Sequence, residues 1–248
     1  MRWIEGLAVV GLMAGLGLPQ TAPKVPGKNP LPPRPGLPPV GAPVPMAPVQ
    51  PPRFVVVVDA AHGGNDTGAK IGPGVLEKDI TLELAGRLRS VLQARGVQVV
   101  MTRQTDAYMS PLDRAQTANH AQAGACLLVH ATATGSGVHL YTSSLSPAAR
   151  AAFLPWATAQ AAFATQSLKL ESEVDSALAH AAIPVTLGRA SVQPMDNLAC
   201  PEVAVEMAPL VAGHVTSGRA VTDVSYQKQV VDALAAALEQ WRSDWNSR

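Results

Sequence analysis

The distribution of proline constrains this chain more than any other feature. Fourteen of its 22 prolines lie between Pro19 and Pro52. Proline removes a backbone donor and fixes φ, so such a run favours extended polyproline II over packed strand or helix. A cooperative core must therefore come from the residues after Pro52. The 248 residues leave room there for one domain of ordinary size. At about 3.1 Å per residue, the stretch 19–53 reaches on the order of 100 Å, which suits a disordered tether.

Ahead of the tether, Met1-Arg2 and the apolar run Leu7 to Leu18 have the form of a positive n-region and a short h-region. A bilayer span needs about 20 apolar residues, so 1–18 reads as a signal peptide. An uncleaved N-terminal anchor is the alternative, because small residues mark no clear cleavage point. Either way the protein is expected to be exported, to the periplasm or cell envelope, and to touch a membrane only through this segment. A net charge of +1, with 15% charged residues, offers no basic stripe for a nucleic-acid partner. Cys126 and Cys200 form neither a disulfide framework nor a zinc-finger spacing. Each reads first as a small buried thiol. A bridge requires their two runs to be neighbouring strands in an oxidising compartment.

The region 54–242 alternates strand and helix. Phe54 to Val58 is an unbroken β-branched and aromatic run, the pattern of a strand buried on both faces. Ile80, Leu84, Leu88 and Leu92 mark a helix over 79–95, with Asp79 placed to cap it. Strands follow at 97–102, 125–131, 137–142 (an antiparallel neighbour or edge) and 202–207. Helices are predicted at 112–123, in one or two alanine-rich pieces between 147 and 182, and at 223–241. This order implies an α/β single domain, with a mostly parallel or mixed central sheet covered by helices on both faces. In such sheets, sites gather at the carboxyl ends of the strands.

Those ends carry chemistry. The first strand runs into Asp59-Ala60-Ala61-His62-Gly63-Gly64, the third into His130, and the late one into Glu206; Glu77 stands just ahead of the first helix. Zinc accepts imidazole nitrogen and carboxylate oxygen, and a catalytic site keeps three protein ligands and one open position. His62, Glu77 and His130 meet that count. Glu206 is then the acid left to collect a proton from water and pass it to a leaving amine. Singly, each has a plainer use: His62 as a hydrogen-bonded loop residue, His130 as a satisfied core histidine, Glu77 as a surface acid favoured by a helix dipole, Glu206 as a salt-bridged acid. Their joint placement favours the metal. His120, His139, His180 and His214 read as ordinary, and Glu171 and Glu173 as a solvated helix face, although one of the two acids can be placed as an inhibitory metal ligand.

The chain resembles the zinc-dependent N-acetylmuramoyl-L-alanine amidases of bacterial cell walls over roughly 54–241. Val58-Asp59-Ala60-Ala61-His62-Gly63-Gly64-Asn65-Asp66-Thr67-Gly68-Ala69 is similar to the family's first metal loop, and Glu77-Lys78 to its second. Arg114, Ala118-Asn119 and Leu128-Val129-His130-Ala131 resemble the third, and Cys200-Pro201-Glu202-Val203-Ala204-Val205-Glu206 the segment with the catalytic glutamate. The resemblance implies zinc on His62, Glu77 and His130, Glu206 as general base, and peptidoglycan as substrate, cut between N-acetylmuramic acid and L-alanine. A protein activator of unknown identity is a further expectation. A zinc peptidase acting on another wall or exported peptide, or a non-catalytic wall-binding module, are the competing readings. Two departures lie beside the cleft. Ala131-Thr132 follows His130 where the family usually has a small residue and then Asp or Asn. Met207-Ala208-Pro209-Leu210 follows Glu206 in place of Thr-Gly-Phe. The stretch 147–166 is longer than the family core needs, and is open to reading as a lid, a regulatory element or padding.

Overall fold

A strand that is β-branched at successive positions has no polar face to offer water, and Val55–Ala60 (β1) is buried at all six positions. A computed structural model describes residues 53–148, 154–211 and 218–246. The expected leader at 1–18, the tether up to Pro52, and His214 lie outside them. After β1 come a short hairpin, Lys70–Gly72 (β2) and Val75–Leu76 (β3), and the helix Glu77–Ala94 (α1). The helix starts earlier than Asp79: Leu76 holds the cap position with no side-chain bond, and Asp79 sits in the first turn, where the dipole favours it. Gln98–Met101 (β4) follows, then Pro111–His120 (α2). Ser110 begins α2 by accepting a hydrogen bond from Asp113 N at 3.1 Å, with proline in the first turn.

Next come Ala125–Ala131 (β5), Val138–Ser143 (β6), a 3-10 turn at Trp156–Ala162, and Ala164–His180 (α3). Val185–Ala190 (β7), Glu202–Met207 (β8) and Val224–Asn246 (α4) complete the described chain. The strands form one six-stranded sheet in the order β4-β1-β5-β8-β6-β7, parallel throughout except for β6 against β8. The α/β class with a mixed central sheet is therefore observed.

Residue parity divides the sheet into two faces. Leu127, Val129, Val203 and Val205 pack in one cluster with Leu88, Leu170 and Leu238 of α1, α3 and α4. Cys126, Leu128 and Ala204 face the other way, toward Ala115 and Ala118 of α2. Each fully buried leucine or valine contributes roughly 1.5–3 kcal/mol. The thinner second face is the one that carries the polar site.

Two expectations need correction, and one open reading narrows. Cys126 and Cys200 are not separate thiols: they form a disulfide, Cα atoms 6.2 Å apart, because β5 and β8 are neighbours and Cys126 N donates to Pro201 O at 2.8 Å. Glu171 is buried, not solvated, because it lies on the face that α3 turns to the core along with Leu170 and Val174. The described part of 147–166 is no lid over the strand ends. Gln160 is fully buried and its amide nitrogen lies 3.3 Å from Cys200 O, at the opposite end of β8 from Glu206.

Candidate metal centre

β1 delivers its carboxyl end into a turn held by two buried arginines. Arg114 Nη1 donates to Asp59 Oδ1 at 2.8 Å and to Ala60 O at 2.7 Å, and its Nη2 donates to His62 O at 2.6 Å. Arg103 Nε reaches Ala60 O at 2.8 Å, and its Nη2 reaches Ala61 O at 2.9 Å. This clamp holds His62 at φ 61°, a left-handed conformation that non-glycine residues rarely adopt. Strain of that kind persists only where its surroundings fix it, and here it aims an imidazole into the cleft.

His62 Nδ1 lies 2.9 Å from Asp66 Oδ1. The carboxylate fixes the ring orientation and leaves Nε2 free to face inward, the usual support of a metal-bound histidine. That Nε2 stands 3.2 Å from Glu77 Oε2. Glu77 is placed by the hairpin, since its own N donates to Ala69 O at 2.9 Å. Its buried carboxyl accepts from Ala69 N at 2.8 Å and from Ala131 N at 3.2 Å. His130 Nδ1, near the end of β5, lies 2.9 Å from Glu77 Oε1. Burial pushes the Glu77 carboxyl up, but hydrogen bonds from His130, His62 and Ala69 N outweigh it and hold the group well below the usual carboxylate range. Glu77 is thus an anion between two imidazoles.

One ligand atom from each of His62, Glu77 and His130 lies within 4.8 Å of the others. Two imidazole nitrogens and an anionic oxygen at that spacing match the donor set of a divalent cation of zinc type, which would take the place of the protons the rings share with Glu77. Gly68 keeps the space open: a Cβ there would fall 2.6 Å from both Glu77 Oε2 and His62 Cδ2. A second loop closes one side, where Asp106 accepts from Gly64 N at 2.7 Å and from Lys78 Nζ at 2.6 Å.

Glu206, on β8, is the register partner of His130 on β5 and of His139 on β6. His139 Nδ1 is 2.7 Å from Glu206 Oε2. The four residues singled out from the sequence therefore share one end of one sheet face. His139, ordinary by sequence alone, joins them because β6 runs antiparallel and brings its start, not its end, to this place. Asp66 and Arg103 carried no assigned role in the sequence. Asp66 was readable in principle from its position four residues after His62 within a glycine-rich turn. His120 and His180, read as ordinary, are exposed on their helices.

The family model for N-acetylmuramoyl-L-alanine amidase matches residues 56–240. The germination-specific N-acetylmuramoyl-L-alanine amidase of Bacillus subtilis (strain 168) is 35% identical over 96 residues, covering 33% of this chain and 40% of that protein. The chain spans less than half the length of the curated relatives it matches. Among solved structures, the amidase AmiC2 of Nostoc punctiforme is similar with a TM-score of 0.58 and 22% identity, over 77% of this chain and 97% of that one. The CwlD amidase from Clostridioides difficile, solved in complex with the GerS lipoprotein, gives a TM-score of 0.55 at 18% identity, over 77% and 99%. Identities this low establish a shared fold. The family match extends over well more than half of the sequence and includes every element that builds the metal centre. The chain belongs to the N-acetylmuramoyl-L-alanine amidase family.

Proposed function

We propose that this protein hydrolyses peptidoglycan at the amide between N-acetylmuramic acid and the L-alanine of the stem peptide, with zinc held by His62, Glu77 and His130 and with Glu206 as general base. The observation that carries this reading is the convergence of the three ligand atoms within 4.8 Å beside Glu206, the register partner of His130. Zinc in such a site supplies a positive charge that polarises a carbonyl and acidifies water. The protein supplies the rest. Asp66 orients His62, the amides of Ala69 and Ala131 hold Glu77, and the Glu206 carboxylate takes a proton from the attacking water and returns it to the leaving nitrogen.

The Cys126–Cys200 disulfide supports an exported protein of the periplasm or cell envelope, because such bridges persist in oxidising compartments. A protein partner that controls the site belongs to the same proposal, supported by the GerS complex of the related CwlD amidase.

The test is product analysis by mass spectrometry on purified sacculi, with and without a chelator. Intact stem peptides freed from glycan are expected, and only when the metal is present. Peptides cut internally would assign the chain to the peptidases, and binding without release would make it a wall-binding module. Glu206→Ala is expected to retain zinc and lose about 10²–10⁴-fold in rate. His130→Ala is expected to lose both zinc and cleavage.

A further inference from the structure

We infer that His139 is the positioning residue of Glu206: it ties one oxygen of the carboxylate and leaves the other aimed at the attacking water. The inference rests on the reading of Glu206 as general base. His130, Glu206 and His139 form one row across β5, β8 and β6. Within that row His139 Nδ1 lies 2.7 Å from Glu206 Oε2. A carboxylate serving as base only accepts, so Nδ1 carries the hydrogen and donates it. Among the described residues, Glu206 Oε1 receives no such donor.

The two oxygens thereby acquire different duties. The terminal torsion of a glutamate is broad and nearly two-fold, so an untethered carboxylate samples many directions. A misplacement of about 1 Å can reduce a rate about 10²-fold. One hydrogen bond from a fixed imidazole removes that freedom. The contact is also partly shielded, with side-chain exposures of 15% for His139 and 29% for Glu206, which strengthens it over the same contact in water.

His139 is itself fixed from the opposite side. Gly135 has φ +87°, and a Cβ there would fall 2.5 Å from His139 Cε1 and 2.6 Å from its Nε2. The loop after β5 therefore comes this close to the ring only because position 135 is glycine. The antiparallel register of β6 and β8 sets the ring height, Glu206 takes Nδ1, and Gly135 backs the far edge. Three independent features hold one imidazole for one carboxylate.

A pair that merely fastened β6 to β8 would have the same contacts, so the test must read something that stability does not move. The full-length, zinc-loaded protein is compared with Glu206→Ala, His139→Ala, His139→Asn and Gly135→Ala. His139→Ala is expected to lower kcat about 10–100-fold, the usual loss for a supporting hydrogen bond in a metal site, with KM and zinc content unchanged. His139→Asn, whose amide N–H reaches the same place, recovers part of the rate; Gly135→Ala reproduces the defect without altering either partner. Independently of turnover, the histidine side-chain ¹H–¹⁵N spectrum is expected to show His139 with a protonated Nδ1, and that signal shifts in Glu206→Ala.

A kcat for His139→Ala within twofold of wild type, alongside an inactive Glu206→Ala, overturns the positioning role and leaves the base in place. Full activity in Glu206→Ala overturns the base itself and this inference with it. Loss of zinc, a raised KM without a kcat loss, or an unprotonated Nδ1 also overturns it.

Discussion

Glu202 opens β8 with its side chain fully buried, on the strand face that carries Glu206 at the far end. Its Oε1 accepts from Ser143 N at 2.9 Å, while Oε2 has no partner among the described residues. Burial, the largest influence, pushes this carboxyl up to about 8; the hydrogen bond from Ser143 N and the nearby Gln160 amide pull the other way without prevailing, and the charges of Glu171 and Asp196 add to the rise. An acid whose folded pKa is raised holds its proton in the native state where the unfolded chain has already released it. Between the ordinary value of 4.5 and about 8, stability therefore falls as pH rises, by up to about 1.4 kcal/mol per unit. Glu202→Gln keeps the shape and removes the titration. Urea midpoints across that window are expected to decline more steeply for wild type than for Glu202→Gln, and parallel curves would refute the assignment. Glu202 escaped the sequence because an acid opening a strand looks like a boundary with water. His62, Glu77, His130 and Glu206 were legible because each stands where a strand ends or a helix begins, the places where a parallel sheet collects function. His139 was not, since that rule considers carboxyl ends and a histidine at the start of a strand becomes relevant only once the strand is known to run backwards.

Among the elements, β5 and β8 carry the most responsibility, since they are parallel neighbours with His130 and Glu206 as their penultimate residues. The Cys126–Cys200 bridge joins them at the opposite end, across 74 residues of sequence. A closed loop of that length restricts the unfolded chain, so removing it costs about 2–4 kcal/mol, and Tm falls on the order of 10 °C. The double variant Cys126→Ala/Cys200→Ala is expected to show this drop in calorimetry while binding zinc as tightly as wild type. A wild-type Tm unmoved by a strong reductant that demonstrably frees both thiols would contradict it. Both strands were readable to the residue, because each is a bounded apolar run. β7 was not: Thr186, Leu187 and Arg189 are exposed on the sheet edge, so Val185–Ala190 lacks the alternation that a half-buried strand shows. The hairpin of β2 and β3 is too short for any period to emerge. The bridge itself needed the strand order, which composition cannot supply.

At the scale of the molecule, the site is assembled from the loop after β1, the start of α1 and the end of β5, three places separated in sequence and joined through Glu77. The two apolar clusters that flank the sheet contain none of the candidate ligands. The fold therefore does not depend on an ion to form its core, and far-UV circular dichroism of the chelated protein is expected to match that of the loaded one. Stability is another matter, because an ion that binds the native arrangement and not the unfolded chain shifts the equilibrium by mass action. At free zinc about a hundredfold above Kd the gain is about 2.7 kcal/mol, or on the order of 5–10 °C in Tm for a domain of this size. Glu77→Gln removes the anion between the imidazoles and is expected to abolish the shift, whereas Glu206→Ala, which leaves all three ligands in place, is expected to keep it. A zinc-induced rise that survives Glu77→Gln and His130→Ala would place the ion elsewhere and separate metal binding from this cleft.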